Sequence, residues 1–139
     1  VSLGTLIGDA AMVGRAWADV ALCAGRTGQH EAARAACDRA LILLQVAGNT
    51  DQLARVKSIE GRLLMDAGCP ESAVVVFREA LSTGPPRLEA LIRLGLGRAL
   101  AATMQREAAE HQLLEAARLA VLFSDENTRQ ESETALAGL

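Results

Sequence analysis

A pattern that returns at a fixed interval constrains a chain more than any single motif does, because each copy must bury its apolar face on its neighbours. Gly28-Gln29-His30-Glu31-Ala32-Ala33 continues to Cys37, Ala40 and Leu41, and Gly68-Cys69-Pro70-Glu71-Ser72-Ala73 continues to Phe77, Ala80 and Leu81. In both, Gly, an acid, Ala, a medium apolar residue, Ala and Leu stand at identical offsets, and the copies lie 40 residues apart. A weaker third copy follows 36 residues later, with Met104 in the Gly position and then Glu107, Ala109, Leu113, Ala116 and Ala117.

A second apolar stripe precedes each of these turns. Val13, Trp17, Val20, Ala21 and Ala24 fall on one helical face, as do Ala90, Leu94, Gly97, Leu100 and Ala101. Leu53, Val56, Leu63, Leu64 and Ala67 do so more raggedly. Each unit therefore reads as helix, short Gly-bearing turn, helix. The units span about 14–48, 50–83 and 86–123, with a further helix over 124–137, in one domain covering 1–139. Asn49 and Gln52 have capping-box spacing. Pro70 stands where a first helical residue belongs, and Gly84-Pro85-Pro86 breaks the chain before the third unit. Ser124-Asp125-Glu126 opens the last helix, with Ser124 as the cap hydroxyl. Leu3, Leu6 and Ile7 read as the end of a preceding helix, because Gly4, Gly8 and Gly14 argue against one continuous segment.

Composition agrees with helices. Half of the residues are hydrophobic but only 2% are aromatic, so Ala, Leu and Val must fill the core. Ala and Leu are strong helix formers, and Ala lets helices approach closely. The one β-branched run, Val74-Val75-Val76, sits inside a helical pattern. The net charge of −3 and the scarcity of stacking aromatics speak against nucleic acid as a partner. No stretch is apolar enough for a membrane span, and there is no leader pattern at the N-terminus. Cys23, Cys37 and Cys69 are odd in number and lack CxxC spacing, which disfavours a disulfide framework or a zinc site. They read as small core or turn residues in a reducing cytoplasm. Thirteen Arg against a single Lys, with abundant Ala and Gly, points to a GC-rich bacterial genome. The chain starts at Val1 and ends on a helical pattern, so it reads as a segment of a longer protein.

These residues resemble the tetratricopeptide repeat family. In that family a Trp, a Leu-Gly pair and a bulky residue mark the first helix, a Gly lies near the turn, and Ala, an aromatic and Ala mark the second helix. Trp17, Gly28, Ala33 and Ala40 match in the first unit. Gly61, Leu64, Gly68, Ala73, Phe77 and Ala80 match in the second, and Leu96-Gly97, Leu100, Ala109 and Ala116 in the third. The resemblance covers residues 14–123. Cys37 and Leu113 replace the aromatic, Met104 replaces the turn Gly, and the first period exceeds the family's roughly 34 residues. The excess around Leu43–Thr50 suggests longer second helices. The resemblance implies an all-α, right-handed superhelix of antiparallel helix hairpins, an α-solenoid. Ala33, Ala40, Ala73, Ala80, Ala109 and Ala116, with Gly61 and Gly97, would sit where helix backbones pass closest.

It also implies a concave wall formed by the first helices. On that mapping the wall carries Arg15, Ala18, Leu22 and Arg26 from unit one, and Arg55, Ser58, Arg62 and Met65 from unit two. Unit three adds Leu91, Leu94, Arg98 and Ala101. Five arginines on one wall could grip an acidic peptide or a chain's terminal carboxylate, since the guanidinium fork suits carboxylates. Leu22, Met65 and Leu94 would take its apolar side chains. The competing reading is a solvated face whose arginines pair with nearby acids, as Asp66 stands four residues after Arg62. The family's known carboxylate-gripping pattern of Lys and Asn is not reproduced. Glu60 falls where an apolar seam residue is usual, so it must snorkel, pair with an Arg or rotate the helix; pairing or a rotated helix is the favoured reading, and a functional role the alternative. His30 and His111 have no ligand-spaced partners and read as surface residues. No nucleophile, metal or phosphate-loop motif is present, and Leu94-Gly95-Leu96-Gly97 has no strand before it.

The expected function is therefore a cofactor-free, non-enzymatic module that binds a partner protein or peptide, within a bacterial cytoplasmic regulator of transcription or signalling. The alternatives are a self-association scaffold forming a homo-oligomer and a small-ligand sensor domain.

Overall fold

The computed structural model describes residues 2–139. Seven α-helices and no strand occur among them: α1 (Leu3–Arg26), α2 (His30–Ala47), α3 (Thr50–Asp66), α4 (Pro70–Thr83), α5 (Pro86–Ala102), α6 (Arg106–Leu122) and α7 (Glu126–Ala137). The chain is an all-α solenoid in which consecutive helices pack as antiparallel hairpins.

Five of the six connections share one geometry. Gly28, Gly48, Gly68, Met104 and Ser124 all adopt left-handed backbone, with φ between 55° and 77°. The amide after each reaches back to a carbonyl five residues earlier: Gln29 to Ala24, Asn49 to Leu44, Cys69 to Leu64, Gln105 to Leu100 and Asp125 to Ala120, at 2.8–3.1 Å. These bonds satisfy carbonyls orphaned at the helix ends. Gly takes this conformation freely, whereas Met104 and Ser124 bear a Cβ penalty. The exception is Gly84, which is extended and leads through Pro85 into α5.

The helix starts are specific too. Asn49 Oδ1 accepts from the Gln52 amide at 3.1 Å. The reciprocal half of a capping box is not made, and Gln52 Oε1 is buried without a partner. Pro70 is the first residue of α4. The cap of α7 is Asp125, whose Oδ1 accepts from the Thr128 amide at 3.1 Å. This corrects the expectation for Ser124, which forms the left-handed turn instead. The N-terminal expectation is corrected as well: Leu3 to Arg26 is one continuous helix, the longest at 24 residues. A Cβ on Gly8 would meet nothing and one on Gly4 only Ser2 Oγ at 4.0 Å, whereas a Cβ on Gly14 would stand 2.8 Å from Leu44 Cγ. α2 has 18 residues against 14 in α4.

The small residues make the stacking possible. Ala33, Ala40, Ala73, Ala80, Ala109 and Ala116 are all 0% exposed. At the glycines of the first helices, side chains rather than backbones take the space. The Phe77 ring of α4 slots between α3 and α5. A Cβ on Gly61 would stand 2.7 Å from Phe77 Cζ, and one on Gly95 would stand 2.6 Å from the same atom. A Cβ on Gly97 would stand 2.6 Å from Leu113 Cγ. Trp17 is half-buried at the α1–α2 seam, with the Arg39 guanidinium 4.7 Å above its ring. α7 is held through Thr128 and Ser132, both buried, whose hydroxyls bond Asp125 Oδ2 and the Thr128 carbonyl.

Helices touch only others one or two places away along the chain. The odd helices abut in the order α1, α3, α5, α7, while no even helix meets another among the described residues. An inner row that touches and an outer row that splays give a curved stack, with the odd helices on its inner side.

Candidate functional site

The inner row carries a groove of about 690 Å³ that runs across all four odd helices. From α1 it takes Leu22 and Arg26. From α3 it takes Arg55, Ser58, Ile59, Arg62, Met65 and Asp66. From α5 come Leu88, Leu91, Ile92, Leu94, Gly95 and Arg98, and from α7 Asn127, Thr128 and Glu131. The helical spacing explains the shared direction: Leu22 and Arg26 are four apart, Arg55, Ser58, Arg62 and Met65 run at three and four, and Leu91, Leu94 and Arg98 do the same. Phe77 reaches the floor from α4 through the gap left by Gly61 and Gly95.

Of the residues expected on the wall, Leu22, Arg26, Arg55, Ser58, Arg62, Met65, Leu91, Leu94 and Arg98 are brought together here. Arg15 is not. It is exposed on α1 but lies outside the groove lining. Ala18 is fully buried, and Ala101 faces the core around Phe77 and Leu100. Leu94 is 1% exposed and packs on Leu113 and Ala116, so it forms floor and offers almost no surface to a guest.

The arginines differ in how far they are engaged. Arg55 Nη2 donates to Asp19 Oδ1 of α1 at 3.0 Å, a bond that ties the first two odd helices. Arg98 stands 3.9 Å from Glu131 of α7. Arg26 and Arg62 make no ion pair within 4.0 Å among the described residues, and the expected Arg62–Asp66 pair is not formed. The groove therefore has four guanidinium groups and two carboxylates, Asp66 and Glu131, in a chain of net charge −3. Its α1–α3 end is basic, and its α5–α7 end is nearly balanced. A smaller niche of about 100 Å³ opens between α1 and α3, bounded by Arg26, Arg62 and Asp66 over Leu22, Gly25 and Ile59.

Glu60 follows neither of the two favoured readings. Among the described residues it makes no ion pair or side-chain hydrogen bond, and the neighbouring Lys57 bonds Glu79 at 2.9 Å instead. Nor is α3 rotated, because Arg55 and Arg62 both remain in the groove. Glu60 is half-buried against α2. Burial raises its pKa first and Asp38 second, with Glu79 adding and Lys57 and Arg34 opposing. The same surroundings act on Cys37. Burial, then Glu60 and Asp38, push its thiol up to about 12, which keeps it an unreactive core residue. Cys69 lies in the turn before α4, but Cys23 is exposed on α1, neither core nor turn. His30 and His111 are both exposed.

The wall as read from sequence lacked the α7 contribution, Asn127, Thr128 and Glu131, and the floor residues Phe77, Ile92 and Gly95. The available signal for α7 was Asp125, which stands 20 residues after the equivalent Gln105. No helix among the described residues is long and apolar enough to cross a membrane. No protein-family model matches the chain, and no curated protein matches it.

Proposed function

We propose that this chain is a tetratricopeptide-type repeat domain that holds a partner polypeptide in the groove of its odd helices, as a non-enzymatic module of a bacterial cytoplasmic regulator of transcription or signalling. The observation that carries this reading is the groove itself. It has an apolar floor, four guanidinium groups on its rim, and continuity across four helices. An extended or helical segment is the guest such a surface suits, with apolar anchors on the floor and carboxylates at the rim. The regulator assignment follows from the family resemblance alone.

The test is selection of peptides from a displayed random library on the immobilised domain. Selected peptides should be rich in Asp, Glu and apolar residues. They should lose binding to the Arg55→Glu, Arg62→Glu variant at unchanged helical content. Equal binding by that variant, or no enrichment at all, overturns the proposal.

A second reading, self-association, is favoured by one observation. Leu6, Val13 and Val20 form a stripe on α1 that is about half exposed, with Val46 of α2 exposed as well. Light scattering over a concentration series separates the readings, because a strict monomer removes the second. The small-ligand reading draws on the groove volume, which lies within the range of small-molecule pockets.

A further inference from the structure

We infer that the niche between α1 and α3 is a one-carboxylate subsite that fixes the direction in which a guest lies in the groove. This rests on the groove reading above and adds to it the chemistry of one end.

Arg26, near the C-terminus of α1, and Arg62, one turn before the end of α3, flank the niche from its two sides. Neither is engaged by a carboxylate within 4.0 Å among the described residues, whereas the other two groove arginines each face one. Asp66 also borders the niche, but it lies beyond 4.0 Å of both guanidinium groups, so it lowers the local positive charge without filling the forks. The floor is apolar, with Leu22, Ile59 and Leu63. Gly25 adds no side chain there, and a Cβ on it would come within 3.0 Å of Leu63 Cδ2. At about 100 Å³ the niche is far smaller than the groove it opens into, and it has room for a carboxymethyl or carboxyethyl tip. An apolar floor under two guanidinium forks suits a carboxylate on a short methylene stem, with each fork able to donate to one oxygen.

The niche joins the large groove at Leu22, Arg26, Ile59, Arg62 and Asp66. A guest anchored there continues over Met65 and Phe77 toward α5 and α7, where Glu131 beside Arg98 offers no comparable free cation. The carboxylate therefore lies at the α1–α3 end and the apolar positions follow it. The carboxylate can come from an Asp or Glu side chain or from a chain terminus.

Three synthetic versions of one selected apolar groove-binding peptide test this: a capped, amidated form with Gln at the end position, the same form with Glu there, and the Gln form with a free C-terminal carboxylate. Binding is read by fluorescence anisotropy, and the Arg Nε–Hε resonances are followed by NMR. The Glu form or the free-terminus form should bind about tenfold more tightly than the amidated Gln form. It should shift the Arg26 and Arg62 signals more than those of Arg55 and Arg98. In the Arg26→Gln, Arg62→Gln variant the affinity ratio between the carboxylate form and the amidated Gln form should fall to about one, whatever the variant does to groove binding as a whole. Arg15→Gln should keep the advantage. Which of the two forms gains identifies the carboxylate's source. An advantage that survives in the double variant, or shifts centred on Arg55 or Arg98, overturns the niche and leaves the groove standing. Failure of all three peptides to bind overturns both.

Discussion

Gly95→Ala is the substitution that separates helix propensity from packing most sharply. Gly95 lies inside α5, where Ala is favoured over Gly by about 1 kcal/mol. If propensity alone acted, the change would stabilise the protein. The new methyl, however, would stand 2.6 Å from Phe77 Cζ. The ring has no free side to retreat to, because Gly61 of α3 faces it at an equally short hypothetical distance of 2.7 Å. Relief requires moving α5, or turning Phe77 out of a site where it is 3% exposed. Overpacking of this kind costs about 1–3 kcal/mol, so after the propensity gain of about 1 kcal/mol a net loss of up to about 2 kcal/mol is expected. For a chain of this length that lowers the melting midpoint by up to roughly 8 °C, measured by far-ultraviolet circular dichroism and urea titration. Gly8→Ala is the matched control, since a Cβ there meets nothing within 4 Å and should raise stability. On a Phe77→Leu background the Gly95→Ala penalty should shrink by about 1 kcal/mol or more, as contacting residues do not add. Stabilisation by Gly95→Ala, or an equal effect in both backgrounds, refutes the account of Phe77 as a wedge between two glycines.

Two further outcomes follow from the turns and the buried acid. Met104→Gly should raise stability by about 0.5–1 kcal/mol in thermal unfolding, because Met104 holds φ 63° in the turn where three other turns use Gly, and its side chain is 89% exposed. Glu60→Gln should stabilise at neutral pH by roughly 1 kcal/mol or less. The folded carboxyl is raised in pKa, so its favourable protonated form is fully present below the unfolded value and is lost as pH rises through the folded one. The advantage of Gln over Glu should therefore vanish in acid and grow toward pH 7, and a pH-independent difference would contradict the assignment.

The hairpin array is legible because its determinants are local. Gly28 and Gly68 mark left-handed turns, Pro70 marks a helix start, and alanines at fixed offsets mark close approach. Where a determinant lies outside the local pattern the reading fails. Ser124 looks like a cap because its hydroxyl and the following acids fit one, yet the backbone needs a left-handed residue there, and a non-glycine can supply it at modest cost. α7 is polar even at positions that become buried, because Thr128 and Ser132 satisfy their hydroxyls within the helix and so enter the core without an apolar signature. Gly95 has meaning only through Phe77, 18 residues away on another helix. In the site, the resemblance to tetratricopeptide repeats is what places Arg55, Arg62 and Arg98 on the inner side. It cannot show that Asp19 occupies Arg55 or that Asp66 leaves Arg62 free, since both depend on how neighbouring side chains turn.

The restriction of helix contacts to partners one or two places along the chain also governs how the protein comes into being. No contact has to wait for a distant segment to be synthesised. Each hairpin can close as soon as its second helix leaves the ribosome, and the next helix finds its docking surface already made. Such a low contact order places refolding in the microsecond-to-millisecond range typical of helical proteins, and lets growth start at any unit. Loss of a terminal helix then uncovers the apolar face it had shielded, as α1 shields Ala33, Ala40 and Leu44 of α2, while units further along keep their own neighbours.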